Sequence, residues 1–165
     1  MVQRPTPLFF YGTLQSPIVY ARVISRHLGS HFKQPKNEPA ILKGYKRSRV
    51  RNAVYPAITA SPFDQVEGMI AYIETQKEVD ILDVFEGDDY KRVPVKVLVK
   101  SSSTEADAEV YIWVAEDDYL EDCEWRLEQF EKGQSQQWVQ DIDEFGNVDN
   151  MTASGTESVG GVLEG

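Results

Sequence analysis

Cysteine is nearly absent: Cys123 is the single one in 165 residues. An internal disulfide is therefore excluded, and the usage fits a reducing compartment. Long apolar runs are missing too. None approaches the ~18 residues of a membrane-spanning helix. Met1–Pro7 carries two prolines and lacks the apolar stretch of a secretory signal. A cytoplasmic protein with no membrane association is the expectation. The chain has no Gly-x-Ser-x-Gly elbow and neither common form of glycine-rich phosphate loop. Histidine is scarce. His27 and His31 stand at a spacing that binds metal on a continuous helix, but Gly29 between them is a helix stop and no ligand cluster accompanies them, so no metal site is expected. Cys123 sits among acids, which raise a thiol pKa and dull its reactivity.

The 41% hydrophobic content suits one globular domain with some loose sequence. The net charge of −10 is unevenly spread: residues 116–165 hold fourteen acids against Arg126 and Lys132, and the rest holds thirteen acids and fifteen bases. The acidity belongs to the C-terminal third and says little about a ligand held by the remainder. Lys43, Lys46, Arg47, Arg49 and Arg51 form a basic run. A strand pair with one solvated face accounts for it, and the acidic remainder opposes phosphate binding, so no nucleic-acid partner is expected.

Local signals divide the chain as follows. Leu8–Tyr11 reads as a fully covered strand. Ser16-Pro17 opens a helix through Val19, Val23, Ile24 and Leu28, and Gly29 stops it. A loop rich in Lys, Pro and Asn follows. Ala40–Arg51 is extended with a bend at Gly44, and Val54–Ile58 is a second extended piece whose proline marks an edge or bulge. After a Ser61-Pro62 turn, Val66–Ile73 alternates as a strand. Thr75-Gln76-Lys77-Glu78 is a capping box, starting a helix that buries Val79, Leu82 and Phe85. Val93, Val95, Val97 and Val99 face one side of a strand over Arg92–Lys100. Ser101–Asp107 links it flexibly to a returning strand, Glu109–Val114, and Asp122–Lys132 reads as a surface helix with Trp125, Leu127 and Phe130 as its apolar contacts. Strand hairpins mixed with helices favour an α+β fold over a doubly wound sheet. The domain is expected over residues 7–145, with a polar tail over 146–165 that buries too little to offset chain entropy.

Two distant stretches fit together. Phe9-Phe10-Tyr11-Gly12-Thr13-Leu14 is a strand breaking into a tight turn whose amides can hold an anion. Leu82-Asp83-Val84-Phe85-Glu86-Gly87 is a helix end that leaves the Glu86 carboxylate beside a glycine stop. An amide-lined nest facing a carboxylate suits a zwitterionic, amino-acid-like ligand. Alone, Glu86 reads as a solvated residue at a helix end, and the turn as an ordinary strand-to-helix connection. The pairing reverses that reading.

With Tyr55-Pro56-Ala57, Gly68, Tyr90 and Arg92 added in order, the chain over Pro7–Val114 resembles the gamma-glutamylcyclotransferase-like family, in its avirulence-induced-gene-like branch. The resemblance implies a small mixed β-barrel with flanking helices and a pocket at one end. It implies that Tyr11, Gly12, Thr13 and Leu14 bind the amino-acid moiety of the substrate and that Glu86 is the general acid/base. The reaction it implies is attack of a γ-glutamyl α-amine on its own γ-carbonyl, giving 5-oxoproline and a free amine or amino acid, without metal or organic cofactor. A base of this kind works best with its pKa raised toward neutrality. The helix C-terminus, partial burial and the neighbours Asp88 and Asp89 are expected to raise that of Glu86. Tyr55 and Tyr90 are candidate substrate-binding residues and Tyr111 a candidate pocket wall, although tyrosines at such places also serve as packing. Arg92 is expected in a structural ion pair with Asp83 or Glu86. A small-molecule γ-glutamyl substrate and a monomer are the expected partner and state. Two rivals are a non-catalytic metabolite-binding protein that keeps the same pocket, and a protein-interaction role for the acidic C-terminal third.

Overall fold

A computed structural model describes residues 5–29, 32–53, 55–121 and 123–133. Its order is β1 (Thr6–Phe10), a 3₁₀ turn (Thr13–Gln15), α1 (Pro17–Leu28), β2 (Lys36–Arg49), β3 (Pro56–Ile73), α2 (Gln76–Glu86), β4 (Tyr90–Val99), β5 (Thr104–Trp113), a second 3₁₀ turn (Asp117–Tyr119) and α3 (Leu127–Gly133). The strands close into a barrel in the order β1-β3-β2-β4-β5. Neighbours are antiparallel except β1 and β5, which meet in parallel at Leu8 and Glu109. The α+β barrel expected from the resemblance is the observed architecture.

The short apolar run of β1 is buried on both faces because the barrel wall has an inner and an outer core. Phe9 joins Ile58, Ile70, Val97 and Val110 in one cluster, while Leu8 and Phe10 join the helix side chains Val19, Tyr20, Val23, Ile81 and Leu82 in the other. That double covering is why the run does not alternate. Thr75 caps α2 by accepting the Glu78 backbone N–H at 3.2 Å. The Glu78 carboxylate is buried against α1, taking O–H bonds from Tyr20 (2.9 Å) and Thr75 (2.8 Å). Gly29 and Gly87 end α1 and α2 at positive φ, where a side chain would be strained.

Several local expectations change in three dimensions. The first loop is shorter than expected, because β2 already starts at Lys36. Val54 lies outside the described residues, and the following strand starts at Pro56. Ser61-Pro62 is not a turn between strands. β3 runs through it, and the pairing with β2 jumps from Lys43–Gln65 to Tyr45–Ala60. Gly44, at φ 90°, thus faces the whole stretch Ser61–Asp64, which bulges outward with Phe63 fully exposed. The link between β4 and β5 narrows to a turn with Ser103 at φ 55°, and the strand resumes at Thr104.

The expected surface helix is also different. Residues Cys123–Arg126 are not helical, and only Leu127–Gly133 forms α3. The reason is backbone pairing: the Glu121 amide donates to Arg49 O (2.8 Å), the Arg49 amide to Cys123 O (3.0 Å) and the Arg51 amide to Tyr119 O (2.7 Å). These bonds hold the segment extended along β2. They also turn Trp125 and Phe130 inward, so both are core residues rather than surface contacts. His31, Asp122 and the expected tail lie outside the described residues.

Candidate active site

Strand β1 ends at Phe10, and the chain turns at Gly12 into the 3₁₀ turn. The turn closes on the amides of Gln15 (to Gly12 O, 3.1 Å) and Ser16 (to Thr13 O, 3.0 Å). Thr13 and Leu14 are buried, so the turn is wedged between barrel and helices. Its close approach depends on Gly68 of β3. A Cβ there would sit 2.3 Å from Phe10 O and 3.1 Å from the Tyr11 Cα.

Glu86 is the last residue of α2 and only 4% exposed. Its Oε2 has no hydrogen-bond partner among the described residues. Burial pushes its carboxyl well above the usual carboxylate range, and the negative charge of Asp83 adds to the rise. The neighbours expected to do this, Asp88 and Asp89, are not among the causes; Asp83, one helical turn back, is. Glu86 shares a cavity of about 10 Å³ with Phe9, Phe10, Tyr11, Gly12, Leu14 and Tyr111. That is room for about one water.

Two tyrosines frame this cavity. The Tyr11 hydroxyl donates to Tyr111 O at 2.7 Å, and the Tyr111 hydroxyl donates to Asp83 Oδ1 at 2.7 Å. Burial raises both phenol pKa values, with Glu86 adding at Tyr11 and Asp83 at Tyr111, so both hydroxyls keep their protons at neutral pH. Arg92 grips Asp83 through Nε (3.0 Å) and Nη2 (3.1 Å) and reaches Glu109 through Nη1. Of the two acids expected for Arg92, the partner is Asp83 and not Glu86.

The structure therefore gathers Tyr11, Gly12, Leu14 and Glu86, with Thr13 buried in the same turn. It does not gather Tyr55 or Tyr90. Tyr90 donates to Pro56 O at 2.7 Å and meets Trp113 edge-on, while Tyr55 packs against the outer core. Neither lines the Glu86 cavity. Phe9, Phe10 and Asp83 were not singled out from sequence as site residues. The spacing of Asp83 and Glu86 on one helix was the available signal for the acid. A roomier groove of about 480 Å³, lined by Gln15, Arg47, Glu67, Gly68, Lys100 and Arg126 among others, shares no lining residue with the Glu86 cavity. We place the candidate site at Glu86, where a buried, unpartnered titratable group sits, rather than in the larger groove.

Residues 8–127 match the family model described as gamma-glutamyl cyclotransferase, AIG2-like. The chain belongs to that family. All the residues that line the Glu86 cavity fall within the match. Protein AIG2 C of Arabidopsis thaliana is 31% identical over 133 residues, covering 81% of this chain and 76% of that one. A solution structure of an A. thaliana protein aligns over 100% of this chain and 98% of its own, with TM-score 0.62 and 25% identity. A structure titled gamma-glutamyl cyclotransferase shares the fold at TM-score 0.52 and 20% identity, covering 70% of this chain and 68% of that one. In this member of the gamma-glutamyl cyclotransferase, AIG2-like family, no described helix is long and apolar enough to cross a membrane.

Proposed function

We propose that this protein is a gamma-glutamylcyclotransferase that converts a γ-glutamyl compound into 5-oxoproline and a free amine or amino acid. The observation that carries the reading is Glu86: a buried carboxyl with an unpartnered oxygen and a raised pKa, facing the Tyr11–Leu14 turn. In its ionised form Glu86 takes a proton from the substrate's α-ammonium. The freed amine attacks the γ-carbonyl, and the new C–N bond closes the five-membered ring. The ring nitrogen sheds its second proton to water as the bond to the departing amine breaks, and Glu86 returns the first proton to that amine. Atoms balance without an added oxidant, reductant or metal, and most of the acceleration comes from holding the γ-glutamyl chain folded.

The amides of Gly12, Thr13 and Leu14 are the donors for the substrate carboxylate or the developing oxyanion. The Tyr11 and Tyr111 hydroxyls are already committed to Tyr111 O and Asp83, so they shape the wall rather than exchange protons. Admission of a γ-glutamyl group requires this wall to open, since the closed cavity is only about 10 Å³. The rival reading, a metabolite-binding protein without turnover, needs the same opening. A single cysteine supports a reducing, cytoplasmic setting, and we propose that the protein acts there as a monomer.

The deciding experiment measures 5-oxoproline release from a panel of γ-glutamyl amino acids and γ-glutamylamines, with Glu86→Gln alongside. The native protein is expected to turn over at least one compound, and the variant none, because an amide cannot accept the proton. Equal release by Glu86→Gln would refute the assigned base. Saturable binding with no release by the native protein would leave the binding-protein reading in its place.

A further inference from the structure

Arg47 lies outside the Glu86 cavity yet touches its wall. Its side chain is 13% exposed. Nη1 donates to the carbonyl of Tyr11 (2.8 Å) and to that of Glu67 on β3 (3.1 Å). Nε and Nη2 donate to Glu124 Oε1 (3.2 and 3.0 Å), and the guanidinium carbon sits 5.6 Å from the centre of the Trp125 ring. One planar group thus joins β2, β3, the substrate-facing turn and the segment that follows β5.

The Tyr11 carbonyl matters because of where it falls. The β1–β3 ladder ends at Phe10–Met69, so Tyr11 is the first residue beyond it. Its side chain lines the Glu86 cavity while its carbonyl is held from outside by Arg47. A shift of that peptide moves the Gly12–Leu14 amides relative to Glu86. Arg47 is itself fixed from two sides. Arg49, two residues on, is paired by its backbone to Glu121 and Cys123. Trp125, buried against Phe130, supplies the aromatic face beneath the guanidinium.

We propose that Arg47 is the positioning residue of the Tyr11–Leu14 turn, and that Glu124 and Trp125 serve the site by holding Arg47 in place. The role rests on the reading of that turn as the substrate-holding element. It explains why the segment after β5 is tied down beside β2 rather than left as a surface helix. It also predicts that lysine cannot substitute, since a point-like ammonium cannot bridge Tyr11 O, Glu67 O and Glu124 together.

The test uses the full chain with Arg47→Gln, Arg47→Lys and Glu124→Gln. Amide exchange and chemical shifts of Gly12, Thr13 and Leu14 are followed by NMR, with Ile24 in α1 as the control for intact folding. Arg47→Gln and Arg47→Lys are expected to speed exchange of the turn amides about tenfold, and Glu124→Gln less, while Ile24 is unchanged. Turn amides that stay where they are in both Arg47 variants would overturn the proposal. Should Arg47→Gln fail to fold, Arg47→Lys and Glu124→Gln carry the same comparison.

With a substrate from the panel, the Arg47 variants are expected to raise KM about tenfold and leave the acid limb of the pH profile in place, because Glu86 and Asp83 are untouched. A displaced limb would put Arg47 in the acid-base chemistry and overturn the positioning role, whereas a fall in kcat at unchanged KM would place the turn amides at the oxyanion and uphold it. If no panel compound turns over, the proposed activity fails and the amide measurements still decide the role of Arg47.

Discussion

A buried carboxyl with an oxygen left unpaired is costly when ionised, and the cost falls if the group holds its proton. Glu86 is in that position, and Asp83 on the same helix makes ionisation harder still. The sign for activity follows. In the proposed mechanism the ionised form starts the reaction, so activity is expected to rise with pH as Glu86 loses its proton, with the limb above the ordinary carboxylate range. Asp83→Asn removes a nearby negative charge and lowers the Glu86 pKa. The acid limb of kcat/KM is therefore expected to move to lower pH; a limb that stays put or moves up would uncouple the two acids. That Glu86 stands at a helix stop and Tyr11–Leu14 at a strand end was legible from local signals; their candidate roles came from the pairing of the two and the family resemblance. Asp83 was not assigned its role, because Asp88 and Asp89 also lie close along the chain. On a helix the residue three positions back shares the face, whereas residues past the Gly87 stop leave it.

At the scale of elements, the site depends on how closely β1 approaches β3. Gly68 is required there for space rather than for backbone freedom, since a methyl group would collide with Phe10 O. Gly68→Ala is expected to lower stability by about 1–3 kcal/mol in urea unfolding and to weaken ligand binding together with it. Native stability with unaltered 5-oxoproline release would show that the strands can part without consequence. The sequence marked Gly68 as part of a motif but offered no reason for it, because the clash is with a strand some sixty residues earlier along the chain. The Ser61-Pro62 break was visible for the opposite reason: turn residues advertise themselves locally. What they could not convey is that β2 and β3 keep pairing on both sides of the break, which makes it a bulge.

At the scale of the whole molecule, the described residues form a closed barrel whose outer core extends past β5. Trp125 and Phe130 join the cluster that contains α1, α2 and Leu8. Trp125→Ala is expected to cost about 3–5 kcal/mol in denaturant unfolding. A loss below about 1 kcal/mol, the scale of an exposed substitution, would mean that the segment after β5 only rests on the surface.

By itself the sequence determined the elements that short-range chemistry controls: the alternation of β4, the Thr75 cap, the glycine stops, and the placement of one carboxylate at a helix end. Each is set by residues within a few positions of one another. Tertiary structure alone decided which side chains surround that carboxylate. Tyr11 and Tyr111 are hydrogen-bonded across 100 residues of chain, and Arg47 meets Glu124 across 77. Such contacts arise from barrel closure and from the backbone pairing of the last segment along β2, and neither leaves a periodic trace in the chain.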